Sequence, residues 1–159
     1  AEAAYADALA LIPGQPGVPL RLALAQAALG KSDQALATLE TWQGQIDPAD
    51  AGLAMALAGR PGAAVELLDQ VARAPGADAR VRQNLALAHA LGGDWVRARS
   101  VAAQDLPGDL LETRMSEWAA LAGPARPGAQ VAALIGVTPA ASDAGQPERL
   151  ALRSAPERV

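Results

Sequence analysis

Few residues of this chain are of types that do chemistry. His89 is the single histidine among 159 residues, and the chain has no cysteine. A catalytic triad needs a nucleophile and a carboxylate beside the histidine, and a zinc site needs several ligands, so an isolated histidine indicates neither. The absent thiols exclude disulfides, thiolate catalysis and cysteine-type zinc sites but do not identify the redox compartment. We therefore expect no enzyme activity, cofactor, metal ion or small-molecule substrate, and a structural place for His89 in the core between helices.

The other candidates for binding chemistry have structural explanations. Residues 92–95 (Gly-Gly-Asp-Trp) lack the spacing of a phosphate-binding loop and are typical of a helix end. Trp42, Trp95 and Trp118 belong to different predicted hairpins, so we expect core positions rather than one binding cage. The net charge of −4 provides no basis for nucleic-acid binding. A catalytic or ligand-binding module stays the alternative class, which a cluster of carboxylates or histidine in the fold would favour.

Three segments share one pattern, in which a glycine is followed five residues later by an alanine with apolar helical runs on both sides. The pairs are Gly30 with Ala35, Gly59 with Ala64, and Gly93 with Ala98. The glycine ends one helix where a positive φ is needed, and the small alanine lets the next helix pack closely against it. The glycines recur at intervals of about 30 residues, the range of helix-turn-helix solenoids of the tetratricopeptide kind.

Composition favours the same all-α architecture. The chain is 51% apolar and rich in alanine but has no phenylalanine, so its core must consist of closely packed helices and aliphatic side chains. No apolar run approaches the roughly 20 residues of a membrane-spanning helix. We therefore predict an all-α tetratricopeptide (TPR) solenoid with a short extended C-terminal tail.

Proline, glycine and apolar periodicity together predict where the helices lie. Residues 1–11 resemble the second helix of a repeat whose first helix is missing, so we expect the sequence to be a fragment or a processed form, and its lack of a signal peptide is uninformative. The repeat array is predicted to cover 1–135, with a proline-containing tail at 136–159. Further helices are predicted at 17–29, 33–42, 49–58, 61–73, 77–91, 94–104, 109–122 and 128–135.

The TPR register predicts which side chains face the concave groove of such an array. We place Arg21, Leu24, Asp50, Leu53, Arg80, Gln83, Asn84 and Leu87 there as partner-binding residues, together with Gly17, Leu20, Ile46 and Ala49. Leucines mixed with arginine and asparagine suit an amphipathic helix or an extended segment of a protein partner. Asn84 is expected to bond the backbone of that partner, because a mid-helix asparagine is costly without a bonding partner, and Arg80 to meet a carboxylate.

The last part of the chain resembles a known family. The resemblance covers about 80–152, and the tail Leu-Ile-Gly-Val-Thr-Pro followed by Gly-Gln-Pro is its most specific part. The matching segments are 82–99 (RQNLALAHALGGDWVRAR), 101–107 (VAAQDLP), 114–121 (RMSEWAAL), 130–139 (QVAALIGVTP) and 145–147 (GQP). These resemble the TadD-type TPR proteins of the bacterial Tad (Flp) pilus assembly machinery, whereas the N-terminal half matches only the generic repeat pattern.

The resemblance implies a non-enzymatic assembly factor of the cell envelope. Family members are lipoproteins of the outer membrane or periplasmic proteins that support the pilus secretin in the manner of a pilotin. The partner implied is the secretin or another Tad pilus component, located in the periplasm or at the inner face of the outer membrane. Membrane anchoring would require an N-terminal lipid on a cysteine that this sequence does not contain. A generic TPR adaptor for another protein complex is the alternative.

Overall fold

The computed structural model describes residues 1–11 and 17–123, and within these ranges the chain forms eight α-helices and no β-strand. The all-α prediction is thereby confirmed. The helices are α1 Glu2–Leu11, α2 Val18–Ala28, α3 Ser32–Thr41, α4 Pro48–Leu57, α5 Pro61–Arg73, α6 Ala79–Leu91, α7 Trp95–Ala102 and α8 Gly108–Ala122, with a 3-10 turn at Gln43–Gln45. The helix predicted at 128–135 and the tail at 136–159 lie outside the described residues.

The three predicted turns have the same backbone geometry. Gly30, Gly59 and Gly93 have φ values of 73°, 85° and 85°, which L side chains rarely adopt. In each turn the residue after the glycine donates its N–H to the carbonyl five positions earlier, which satisfies an oxygen at the helix end. These bonds are Lys31 N to Gln26 O at 2.9 Å, Arg60 N to Met55 O at 3.0 Å, and Asp94 N to His89 O at 2.9 Å.

Side-chain caps define where two helices of the middle region begin. The Asp47 carboxylate accepts the N–H of Ala49 at 2.9 Å and begins α4, whose first residue is a proline. The Asp78 carboxylate accepts the N–H of Val81 at 3.1 Å and begins α6. Each cap satisfies a backbone donor that lacks a partner within its helix.

The helices pack in two ways. Each one contacts its neighbour in sequence, so that α2–α3, α4–α5 and α6–α7 form contacting helix pairs around the three glycine turns. In addition, α2, α4, α6 and α8 contact one another in that order. The alanines that follow the turns, Ala35, Ala64 and Ala98, are all 0% exposed, as expected if small residues allow the close approach within each hairpin.

The middle hairpin has a close contact between α4 and α5. A Cβ atom added to Gly52 in α4 would lie 2.4 Å from Cγ of Leu68 in α5, and Leu68 itself is fully buried. Ala51 and Gly52 take positions in this hairpin where the first and third hairpins have the larger pairs Leu22–Ala23 and Leu85–Ala86. The structure explains the difference: the missing side chain of Gly52 is the space that Leu68 fills.

The three tryptophans pack into the core, as predicted. Trp118 is 3% exposed, while Trp42 and Trp95 are half-buried against apolar clusters. Trp95 and Trp118 belong to one cluster, which also holds Ala98 and Leu111 and joins the third hairpin to α8. Trp42 lies with Val18 and Leu22, in a different cluster.

Candidate protein-interaction site

The predicted groove residues lie on α2, α4 and α6, the helices that contact one another directly. Arg21 on α2 is exposed, and Leu24 and Leu53 are half-buried and pack against the same cluster around Leu57. The predicted residues on α4 and α6 are joined to each other by polar contacts. Part of the predicted groove is therefore an accessible surface, and part is the contact between neighbouring helices.

Arg80 lies between two carboxylates of α4. Its Nη1 donates to Asp50 Oδ1 at 2.5 Å and its Nη2 to Asp47 Oδ1 at 3.2 Å. Burial alone would raise the pKa of Asp47, but hydrogen bonds from the Ala49 N–H and from Arg80 outweigh it and hold the pKa below the ordinary value. Asp50 and Arg80, both predicted partner-binding residues, thus pair with each other, and all three charged groups keep a third or more of their surface in solvent.

Asn84 has a partner within the chain. Its Nδ2 donates to the carbonyl oxygen of Ala49 at 3.0 Å, in a partly buried contact between α6 and α4. The expectation that a mid-helix asparagine needs a bonding partner is therefore met by α4. One N–H of the amide is therefore engaged between two helices of the chain, and its second N–H and its oxygen are the groups that could make the predicted bond to a partner's backbone.

Leu87, in contrast, is a correction to the predicted groove. It is 6% exposed and packs with Ala90, Leu111 and Trp118, because α8 contacts α6 on this side. Ile46 and Ala49 are also buried rather than open to a partner, at 6% and 1% exposed. The TPR register assigned these residues to the concave groove, but it did not show how closely neighbouring helices cover them.

The sequence interpretation missed an ion pair beside Gln83. Arg82 on α6 holds Asp105 with two bonds, Nε to Oδ2 at 2.8 Å and Nη2 to Oδ1 at 2.6 Å. The hydrogen bond from Arg82 lowers the pKa of Asp105 more than burial raises it. Gln83 lies beside the same carboxylate, and its buried Nε2 completes no hydrogen bond within the part of the chain that is described. No periodic signal in the sequence links Arg82 to a residue 23 positions away.

Neither a metal site nor a membrane-spanning helix occurs among the described residues. No group of three or more histidine, aspartate or glutamate side chains there is arranged to hold a metal ion. None of the described helices combines the length and the hydropathy needed to cross a bilayer. Comparison of the chain with protein-family models, with curated proteins and with solved structures gave no match.

Proposed function

We propose that this chain is a TPR-type solenoid that acts as a protein-interaction scaffold. The observation that carries the proposal is the repeated hairpin: three glycine turns with one geometry, each followed by a fully buried alanine, with alternate helices in contact. A repeat array in which each unit contacts only its neighbours leaves extended surfaces on which partner segments bind.

Ion pairs between successive hairpins support the repeat assignment. Lys31 follows the first turn glycine and its Nζ lies 2.6 Å from Glu2 of α1. Arg60 follows the second turn glycine and lies 3.9 Å from Asp33 of α3. Exposed pairs of this kind contribute little to stability. They support the repeat assignment through their geometry. In both turns, the basic residue after the glycine reaches an acidic residue near the start of an earlier helix, which is α1 for Lys31 and α3 for Arg60. Each of these helices is the second helix of the preceding repeat in the TPR interpretation.

The partner-binding surface that we propose is the accessible part of the row of helices α2, α4, α6 and α8, and it is centred on α2 and α4. Leu24 and Leu53 present partly exposed apolar surface there, with Arg21 beside them. The exposed pair of Asp50 and Arg80 borders this surface. An apolar strip with charges at its edge fits an amphipathic helix or an extended segment of a partner protein.

For the identity of the partner, the sequence resemblance over 80–152 favours a TadD-type role. The proposed function is that of a non-enzymatic assembly factor of the Tad (Flp) pilus, which binds the outer-membrane secretin in the manner of a pilotin, in the periplasm or at the inner face of the outer membrane. A TPR adaptor for a different complex is the second candidate. The generic repeat pattern of the N-terminal half fits either one.

Calorimetric titration of the chain with a purified Tad pilus secretin tests this proposal. Arg21→Glu reverses a charge on the proposed surface and should weaken binding by about 1–3 kcal/mol, or about 5- to 160-fold in Kd. Arg60→Glu is the matched control, because Arg60 is equally exposed but lies in a turn outside that surface. Absence of secretin binding by the unaltered chain would refute the pilotin-like role. An equal loss of affinity in Arg21→Glu and Arg60→Glu would refute the proposed location of the partner-binding surface.

A further inference from the structure

A second surface, which shares no residue with the proposed partner-binding surface, lies between α5 and α7. These two helices form the walls of a cleft of about 430 Å³, and α6 forms its floor. Val65 on α5, Leu85 on α6 and Val101 on α7 form an apolar patch in the cleft. Leu85 is 5% exposed, and the two valines pack against the core cluster that contains it. The cleft is large enough to take one or two side chains of a bound segment.

The rim of this cleft is polar, and its outermost groups are cations. On the α5 wall, Arg73 Nη2 lies 2.5 Å from Asp69 Oδ2, and the two side chains are 78% and 43% exposed. On the α7 wall, Arg97 is 73% exposed and lies 3.5 Å from Asp94, which is 40% exposed. The Asp94 carboxylate also caps α7, where it accepts the N–H of Arg97 at 3.1 Å. Both guanidinium groups therefore extend further into solvent than the carboxylates that they contact.

His89 lies on α6 between these walls. The sequence prediction placed it in the core between helices, but the structure leaves it half-buried at the edge of the cleft. Burial is the main reason that its pKa lies below the ordinary value, and Arg97 lowers it further, while Asp94 and Asp69 act in the opposite direction. The imidazole is therefore neutral at neutral pH, and an anion placed beside it would favour its protonated form.

We propose that this cleft binds an extended protein segment in which a glutamate or aspartate is adjacent to an aliphatic residue. The carboxylate lies between Arg73 and Arg97, so that one guanidinium can donate two parallel hydrogen bonds to it and the other a single bond. The aliphatic side chain covers the patch of Val65, Leu85 and Val101. The choice of an acidic partner follows from the position of the two cations at the opening, where an incoming chain meets them first.

One consequence is a pH dependence with a definite sign. A bound carboxylate raises the pKa of His89 relative to the free protein, so binding takes up a proton. Affinity is then highest below the pKa of the free protein and falls as the pH rises through the pKa of the complex. The charged groups that act on the pKa of His89 in the free protein are Asp94 at the start of α7, Arg97 on α7 and Asp69 on α5. Arg73 on α5 lines the same cleft.

The single histidine makes this proposal directly measurable. NMR of the imidazole in the full chain reports the pKa of His89 without overlap from another histidine. The probes are two capped peptides, acetyl-Leu-Glu-Leu-amide and acetyl-Leu-Gln-Leu-amide. We expect the glutamate peptide to bind and to raise the pKa of His89, and the glutamine peptide to do neither. Binding of both peptides with equal affinity, or binding of neither, would overturn the proposal.

Two substitutions locate the binding site. Arg97→Gln should weaken binding of the glutamate peptide about tenfold. Arg114→Gln should leave it unchanged, since Arg114 forms an equivalent pair at the same 3.5 Å, but on α8. His89→Gln should keep binding but remove its pH dependence. A glutamate peptide that binds with no change at His89 and no effect of Arg97→Gln would show that it binds elsewhere, and the assignment of the cleft would be wrong.

Discussion

Replacement of Gly52 by alanine tests the close packing of the middle hairpin. The new Cβ atom would lie 2.4, 2.7 and 3.0 Å from Cγ, Cδ2 and Cδ1 of Leu68. Carbon atoms in favourable contact are about 3.5–4.0 Å apart, so either Leu68 or the helix must move. Leu68 is fully buried, so other residues surround its side chain on every side.

Two opposing effects determine the size of the change. In a helix interior, alanine is more favourable than glycine by about 0.5–1 kcal/mol. Overpacking a close contact costs about 1–3 kcal/mol. We therefore expect Gly52→Ala to lower the free energy of unfolding by about 0.5–2 kcal/mol. The steric term exceeds the helix-propensity term because the contact is made with the branched carbon of a confined side chain.

Urea denaturation followed by far-UV circular dichroism measures this change, and Gly62→Ala is the control. Gly62 lies in α5 with no atom within 4 Å of its added Cβ, so that substitution should be neutral or stabilising by up to about 1 kcal/mol. Leu68→Ala alone should cost about 2–5 kcal/mol. In the Leu68→Ala background the clash is gone, so Gly52→Ala should become stabilising, which gives a coupling energy of about 1–3 kcal/mol.

Two outcomes would contradict close packing between Gly52 and Leu68. If Gly52→Ala stabilises the chain as much as Gly62→Ala does, then α4 and α5 do not approach as closely as the structure shows. If the changes in unfolding free energy for Gly52→Ala and Leu68→Ala simply add, the destabilisation by Gly52→Ala does not come from contact with Leu68.

Three further predictions concern the other hairpins and the contacts between helices. Ala98→Leu should overpack the third hairpin and lower the free energy of unfolding by about 1–3 kcal/mol. Ala119→Leu, on the exposed side of α8, should change the unfolding midpoint little. Equal unfolding midpoints for the two variants would count against close packing in the third hairpin. Asn84→Ala should lower the free energy of unfolding by about 1 kcal/mol, because the hydrogen bond between α6 and α4 is lost. An unchanged unfolding midpoint would instead indicate that Asn84 is available to a partner. The pKa of Asp105 is lower in the folded than in the unfolded chain, so its contribution to stability is complete above the ordinary value of 3.8 and is lost as the pH falls through the folded value. Acid titration of the unfolding midpoint should therefore show a shallower decline for Arg82→Gln than for the unaltered chain, and parallel curves would exclude a role for the pair.

Much of the local structure follows from the sequence, because the interactions that decide it lie within about six residues along the chain. The turn glycines end helices through backbone bonds that span five positions, and Pro48 and Pro61 begin the helices that follow a turn. For that reason the seven described helices after α1 lie within a few residues of their predicted ranges, and the all-α class is confirmed.

The destinations of individual side chains were decided by the tertiary structure. Periodicity placed Asn84 and Leu87 on one face of α6, but whether that face is open depends on how closely α4 and α8 approach it. The pairing of Arg82 with Asp105 and the half-exposed position of His89 likewise depend on the separation of neighbouring helices. That separation is determined by the summed volumes of side chains from several helices, such as Leu68 against the bare backbone of Gly52, and so no single segment of sequence contains it.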